Sequence, residues 1–285
     1  MKPLSLRFPP TGWLPDGVLD VSSAGTRGAN RPDAPPVVCL HGTVANGGNW
    51  GALAELLLAR GRIIVAPTYG ERGTAPLARN LAEVTDVVRR TLEITGADRV
   101  DLVGHSQGGL LAGLLVAGMV RGRPVFDGAG VLDDASVRRV ICISASHRGV
   151  RRPRGLPMPA LRATVGPALA DQIRLRERLL AERDGAVGVG GMGGADGVAA
   201  GFPEVAKAVH EARATGGDAV ALPEWFDLVT GADLIVPAEC ALTPEEYPGA
   251  TTIRLEDRLG RGVPHHLQPH DRGVAELVAE LLGTG

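Results

Sequence analysis

The chain has little of what would send it to a membrane, an oxidising compartment or a nucleic acid. Its longest apolar segment, Leu110 to Val120, falls well short of the roughly 20 residues that span a bilayer. The first ten residues hold one early lysine but no uninterrupted apolar stretch, so no secretory leader is expected. Cysteine is scarce: Cys39, Cys142 and Cys240 are all there is, and an odd count suits a reducing compartment better than a disulfide framework. The first two lie inside strand-like runs and read as small core residues. A large excess of either charge is missing too. Thirty basic against 32 acidic side chains leave a net charge of −2, which gives no electrostatic reason to expect nucleic acid or an anionic membrane surface as the main partner. No internal repeat is evident. The expectation is a cytoplasmic protein whose apolar content is ample for a packed core.

What is present is an alternation of short apolar runs and helical periodicities. Val37-Val38-Cys39-Leu40 has the character of a buried strand and ends in His41-Gly42-Thr43. Trp50, Leu53, Leu56 and Leu57 recur at helical spacing, and Gly61 closes that helix before a second strand at Ile63 to Ala66. A longer helix is expected from about Pro76 to Thr95, with Leu77, Leu81, Val84, Val88 and Leu92 on one face. Strands then follow at Val100 to Val103, Val140 to Ile143, Trp225 to Thr230 and Thr251 to Leu255, and a helix near Gly273 to Leu282 closes the chain. Residues 1 to 36 are rich in Pro and Gly and are expected to form an irregular lead-in. Strands alternating with helices of this length predict a mostly parallel sheet covered on both faces.

One stretch breaks the rhythm. From residue 146 to 223 the chain carries Arg148, Arg151, Arg152 and Arg154 among prolines, and then a polar helical segment from about Leu161 to Arg183. A glycine-rich span, Gly185 to Gly201, and a helix-like piece from Phe202 to Ala214 complete it. So long an excursion between two strands is either a lid over the site or a variable surface insertion. The chain is therefore expected to be one domain over 1–285 with an insertion at about 150–223.

Chemistry concentrates where the third strand ends. Val100-Asp101-Leu102-Val103 runs into Gly104-His105-Ser106-Gln107-Gly108 and at once into a leucine-rich helix. This is the strand, sharp turn and helix that a G-x-S-x-G nucleophile elbow requires. A serine at the tip of such a turn sits on strained backbone, so the flanking positions must lack bulk, and the unpaired N–H groups opening the helix can stabilise an oxyanion. Ser106 is the candidate nucleophile. A serine hydroxyl is a poor nucleophile at neutral pH, so it needs a base within reach and a third group to orient that base. In a parallel sheet these groups gather beyond the carboxyl ends of the strands. Asp233 lies just after the Trp225 to Thr230 strand, better placed than Asp227 within it or Glu239 beyond it. His265 lies between the last strand and the closing helix, with His266 and His270 as neighbours. That grouping lacks the spaced cysteine or carboxylate partners of a metal site, so no metal is expected.

These blocks together resemble the α/β-hydrolases, and within that fold the small bacterial triacylglycerol lipases and esterases. The resemblance is carried by Pro36 to Thr43, Val100 to Gly109, Ile143 to Gly149, Ala232 to Val236 and Gly262 to His265. It implies that His41-Gly42 opens an oxyanion loop, with the backbone N–H groups of Thr43 and Gln107 as its donors. It also implies Asp233 as the catalytic acid. In the family the catalytic histidine is followed nine positions later by an apolar residue of the last helix; Val274 has that offset from His265, which favours His265 as base over His266. His147, in the loop Ser146-His147-Arg148-Gly149, matches a position that is mostly structural. The implied activity is hydrolysis of carboxylic esters through an acyl-enzyme, with no cofactor and a small ester or acyl compound as substrate. The insertion is larger than compact lipases carry, so their open site need not transfer. Two rivals remain: a thioesterase or acyltransferase using the same three residues, which the arginine cluster would suit, and a binding protein that keeps the fold without the chemistry.

Overall fold

The computed structural model describes residues 10–22, 34–126, 128–133, 135–153, 155, 157–183, 222–242 and 249–283. Six strands form one sheet: β1 (Val37–Leu40), β2 (Ile64–Val65), β3 (Val100–His105), β4 (Val137–Ile143), β5 (Glu224–Val229) and β6 (Ala250–Arg254). Their order is β2-β1-β3-β4-β5-β6, and every neighbouring pair is parallel. Parallel neighbours need crossovers, and helices supply them: α1 (Gly51–Leu58), α2 (Leu77–Thr95), α3 (Gln107–Arg121), α4 (Met158–Thr164), α5 (Pro167–Arg183) and α6 (Arg272–Leu281), beside several shorter turns.

The continuous apolar runs of the strands follow from burial on both faces. Val38 and Leu40 of β1 join Leu102 and Val140 in a core with α2 and α3, while Val37 and Cys39 join Val103 and Ile141 in a second core with α1 and α6. Successive residues point to opposite faces, and here both faces are covered. The three cysteines fall in three separate clusters and all are free and buried. This is the α/β-hydrolase fold.

The structure adjusts several sequence expectations. Trp50 belongs to a short 3-10 turn, Gly47–Trp50, ahead of α1. The second strand is only Ile64–Val65. The segment expected as one helix from Leu161 to Arg183 is two, α4 and α5, because Gly166 takes φ 101° and Pro167 begins a new helix. A side chain there would strike the body of the protein, since a Cβ on Gly166 would lie 2.4 Å from the Thr74 carbonyl oxygen. The α5 helix docks firmly at its start: Ala168 and Leu175 enter the core shared with α2 and α3. The glycine-rich span and the helix-like piece from Phe202 to Ala214 lie outside the described residues. Among the described residues, no helix is long and apolar enough to cross a membrane.

Candidate active site

Strand β3 places Ser106 at the centre of the sheet's carboxyl edge. Ser106 has φ 55° and ψ −119°, a conformation that a residue bearing a Cβ adopts only when its surroundings impose it. The neighbours do so. Ser106 N–H donates to the Ile143 carbonyl at 3.0 Å, and Ser146 N–H donates to the Ser106 carbonyl at 3.1 Å. The turn also passes too close to the first strand for any side chain at Gly108, where a Cβ would lie 2.1 Å from the Leu40 carbonyl oxygen. The glycine of the motif is thus a requirement of close approach.

Ser106 opens on a cavity of about 1060 Å³, lined also by Thr43, His105, Gln172 and His265. His265 sits at the head of a 3-10 turn, His265–His270, beyond β6. Its Nδ1 lies 2.5 Å from Asp233 Oδ2. Asp233 is itself pinned: Oδ1 accepts from the backbone N–H of Ile235 at 2.9 Å and of Val236 at 2.8 Å, and Oδ2 also accepts from Gln268 Nε2 at 3.2 Å. Burial alone would raise the Asp233 carboxyl. The hydrogen bond and charge of His265, followed by the two backbone N–H groups, outweigh it and hold the carboxyl below its ordinary value. With Nδ1 held by Asp233, Nε2 is the nitrogen of His265 left to act in the cavity. The ring of His105 packs against His265 with centroids 4.5 Å apart. Burial first, and electrostatic repulsion from His265 second, push the His105 imidazole well below its ordinary value.

The loop after β1 faces Ser106. The backbone N–H groups of Thr43 and Gln107 carry no hydrogen bond among the described residues. The loop is braced by His41, fully buried and stacked on Tyr69. Burial lowers the His41 pKa to about 4, so its neutral ring donates through Nδ1 to the Gly42 carbonyl and accepts at Nε2 from Tyr69 N–H. Arg72 clamps the far side, donating through Nη2 to the Val44 carbonyl at 2.6 Å while its own carbonyl accepts from Val44 N–H at 2.8 Å.

A family model described as "Alpha/beta hydrolase family" matches residues 37–281, which takes in every strand and all of these side chains. The chain belongs to the alpha/beta hydrolase family. A curated relative, RutD of Pantoea ananatis (strain LMG 20103), a provisional carbamate hydrolase, is 30% identical over 87 residues, 30% of this chain and 32% of that protein. The match thus spans about a third of that relative's length. Solved structures agree on the fold. Aspergillus fumigatus lipase B superposes with a TM-score of 0.56 at 16% identity, over 94% of this chain and 60% of that one. Paleococcus ferrophilus monoacylglycerol lipase gives 0.51 at 19% identity, over 88% and 96%.

In this chain His265 is bonded to Asp233, and Ser106, His265 and Thr43 line one cavity, with Gln107 next to the serine in the chain. His266 is exposed on the cavity's edge, and His265 is the histidine bonded to Asp233. Asp227 is buried in β5 and accepts from Trp225 Nε1 at 2.9 Å, while Glu239 is exposed near Arg151 and Arg176. Among the described residues, one set of donor atoms is close enough to hold a metal ion: Cys142, His147 and Asp227, all buried and within 4.8 Å of one another. It excludes the His265, His266 and His270 grouping. Sequence reasoning missed Gln268, Arg72 and Gln172. Only Gln268 had a readable signal, three positions after His265 and so on the same side of a 3-10 turn.

Proposed function

We propose that the hydrolase cleaves carboxylic esters through an acyl-enzyme on Ser106, within a single domain that carries an insertion at about 150–223. His265 Nε2 takes the Ser106 proton as Oγ attacks the ester carbonyl. The tetrahedral oxyanion is received by the Thr43 and Gln107 backbone N–H groups. As the intermediate collapses, the C–O bond to the leaving alcohol breaks and His265 returns the proton to that oxygen. Water then attacks the acyl carbonyl, gives its proton to His265, and the acid departs as Ser106 regains a hydrogen. Asp233 keeps Nδ1 protonated and stabilises the imidazolium formed in each step. No cofactor enters this scheme, and the substrate is a small ester or acyl compound.

The observation that carries the reading is a strained serine and an Asp233-oriented histidine on the wall of one cavity. Fluorophosphonate labelling with mass mapping of the adduct, run beside turnover of p-nitrophenyl esters of short and long acyl chains, tests it. The expected result is one adduct on Ser106, with turnover that falls by about 10⁴-fold or more in Ser106→Ala while the variant melts like the parent. Unchanged turnover in that variant overturns the mechanism. Arg151 and Arg152 on the cavity wall favour a second reading, a thioesterase or acyltransferase acting on an anionic acyl carrier. Labelling of Ser106 without ester turnover, or acyl transfer to an added alcohol that persists against water, would select it.

A further inference from the structure

The Thr43 side chain receives two hydrogen bonds. Gln107 Nε2 donates to its Oγ1 at 2.7 Å, and Gln172 Nε2, from α5 of the insertion, donates at 3.1 Å. Which end of each amide faces the hydroxyl is dictated by the other partners. Gln107 Nε2 also donates to the Gly73 carbonyl at 2.9 Å, and its Oε1 accepts at 2.8 Å from Asn80 Nδ2. That nitrogen is in turn fixed by donating to the Ala75 carbonyl at 3.0 Å. Gln172 Nε2 also donates to the Ala168 carbonyl at 3.1 Å, and its Oε1 accepts from Ser146 Oγ at 2.7 Å. Turning either amide over would set an oxygen against a carbonyl oxygen. Both lone pairs of Thr43 Oγ1 are therefore engaged by N–H groups, and neither nitrogen can accept in return.

The hydroxyl hydrogen must go elsewhere. Among the described residues no oxygen accepts it, and Thr43 lines the cavity beside Ser106. We propose that Gln172, with Gln107, is a positioning residue that aims the Thr43 hydroxyl into the cavity as a third donor to the oxyanion. The inference rests on Ser106 being the nucleophile. It gives the insertion a defined role: its helix α5 is a fixed part of the site, because Gln172 is buried between Thr43 and Ser146, and a helix that swung away would release the Thr43 rotor. A donor already held in place costs no reorganisation when the negative charge appears.

The test is steady-state hydrolysis of p-nitrophenyl butyrate by the full chain and its variants, with thermal melting as the check on folding. Thr43→Val, which keeps the shape and deletes the hydroxyl, should lower kcat by about 10- to 100-fold with KM within about threefold. Thr43→Ser should recover most of that loss. Gln172→Leu should lower kcat by about fivefold, the effect of one net hydrogen bond, and should have no further effect on kcat in the Thr43→Val background. A residue that merely props the fold would cost the same factor in both backgrounds, and that result overturns the proposal, as does wild-type kcat in Thr43→Val. If Thr43→Val does not fold, Thr43→Ala takes its place in the cycle. Ser106→Ala run alongside separates the two failures: an inactive Ser106→Ala with a fully active Thr43→Val sinks only the third donor, whereas an active Ser106→Ala sinks the serine mechanism and the third donor with it.

Discussion

Strand β3 has a buried carboxylate near its start and the candidate nucleophile just past its end, and the two ends of the sheet set a buried carboxylate among different partners. At the amino end, Asp101 accepts from Arg138 Nε at 2.8 Å, Arg138 Nη2 at 2.5 Å and Arg62 Nη2 at 3.1 Å. The same two guanidiniums reach the Leu282 carbonyl and so fasten the end of α6 to the sheet. At the carboxyl end, Asp233 is equally well supplied with donors, but one of them is an imidazole. Guanidinium groups stay charged at any working pH, so the Asp101 cluster can only hold. An imidazole offers a second nitrogen that can accept and return a proton, so the Asp233 pair has the chemistry to take part in a reaction. The partner's proton affinity decides whether a buried carboxylate is a strut or part of a reaction.

Three changes would break or sharpen that contrast. The largest effect is expected at the working end: Asp233→Asn should cut kcat by about 10³- to 10⁴-fold, because an amide no longer enforces the Nδ1 tautomer or stabilises the imidazolium. Stopped assays of p-nitrophenyl ester turnover measure this, and a loss below tenfold would remove Asp233 from the mechanism. Next comes Asp101→Asn, which leaves two buried or half-buried guanidiniums without their anion. Chemical denaturation should show it less stable by about 3 kcal/mol, with kcat within about threefold of the parent. A catalytic loss as large as that of Asp233→Asn would mean that the two ends are not independent.

The smallest effect concerns acid. The folded state holds the Asp233 carboxyl below its ordinary value of 3.8. Its contribution to stability is therefore complete above that value and fades as the pH falls through the lower, folded one. Acid unfolding followed by circular dichroism should be shallower over that window in Asp233→Asn than in the parent. Equal slopes would show that His265 does not favour the ionised carboxylate.

Much of this architecture is readable along the chain because strands covered on both faces must be apolar throughout. Val37 to Leu40 and Val100 to Val103 announced themselves in that way, and the elbow did so through Gly104 and Gly108. The site was legible in part. Ser106 has a local signature, whereas the choice among His265, His266 and His270 needed either a family spacing or the position of Asp233. The break between α4 and α5 was missed because Gly166 and Pro167 suit a helix boundary without demanding one; the demand comes from Thr74 pressing on Gly166. The clamp on Thr43 was invisible for a similar reason, since Gln172 lies 129 positions away.

The sequence by itself determined the alternation of buried strands and amphipathic helices, the tight turn that lifts Ser106, and the edge of the sheet to which Asp233 and His265 belong. Those features depend on periodicity, chain direction and the bulk of adjacent residues, all of which are written locally. Only the tertiary structure decided that His265 is the histidine held by Asp233, that Arg72 and His41 brace the loop bearing Thr43, and that Gln172 reaches in from the insertion. Hydrogen bonds between side chains far apart in the chain leave no period behind them, and they exist only once packing has brought their donors and acceptors within 3 Å or so of each other.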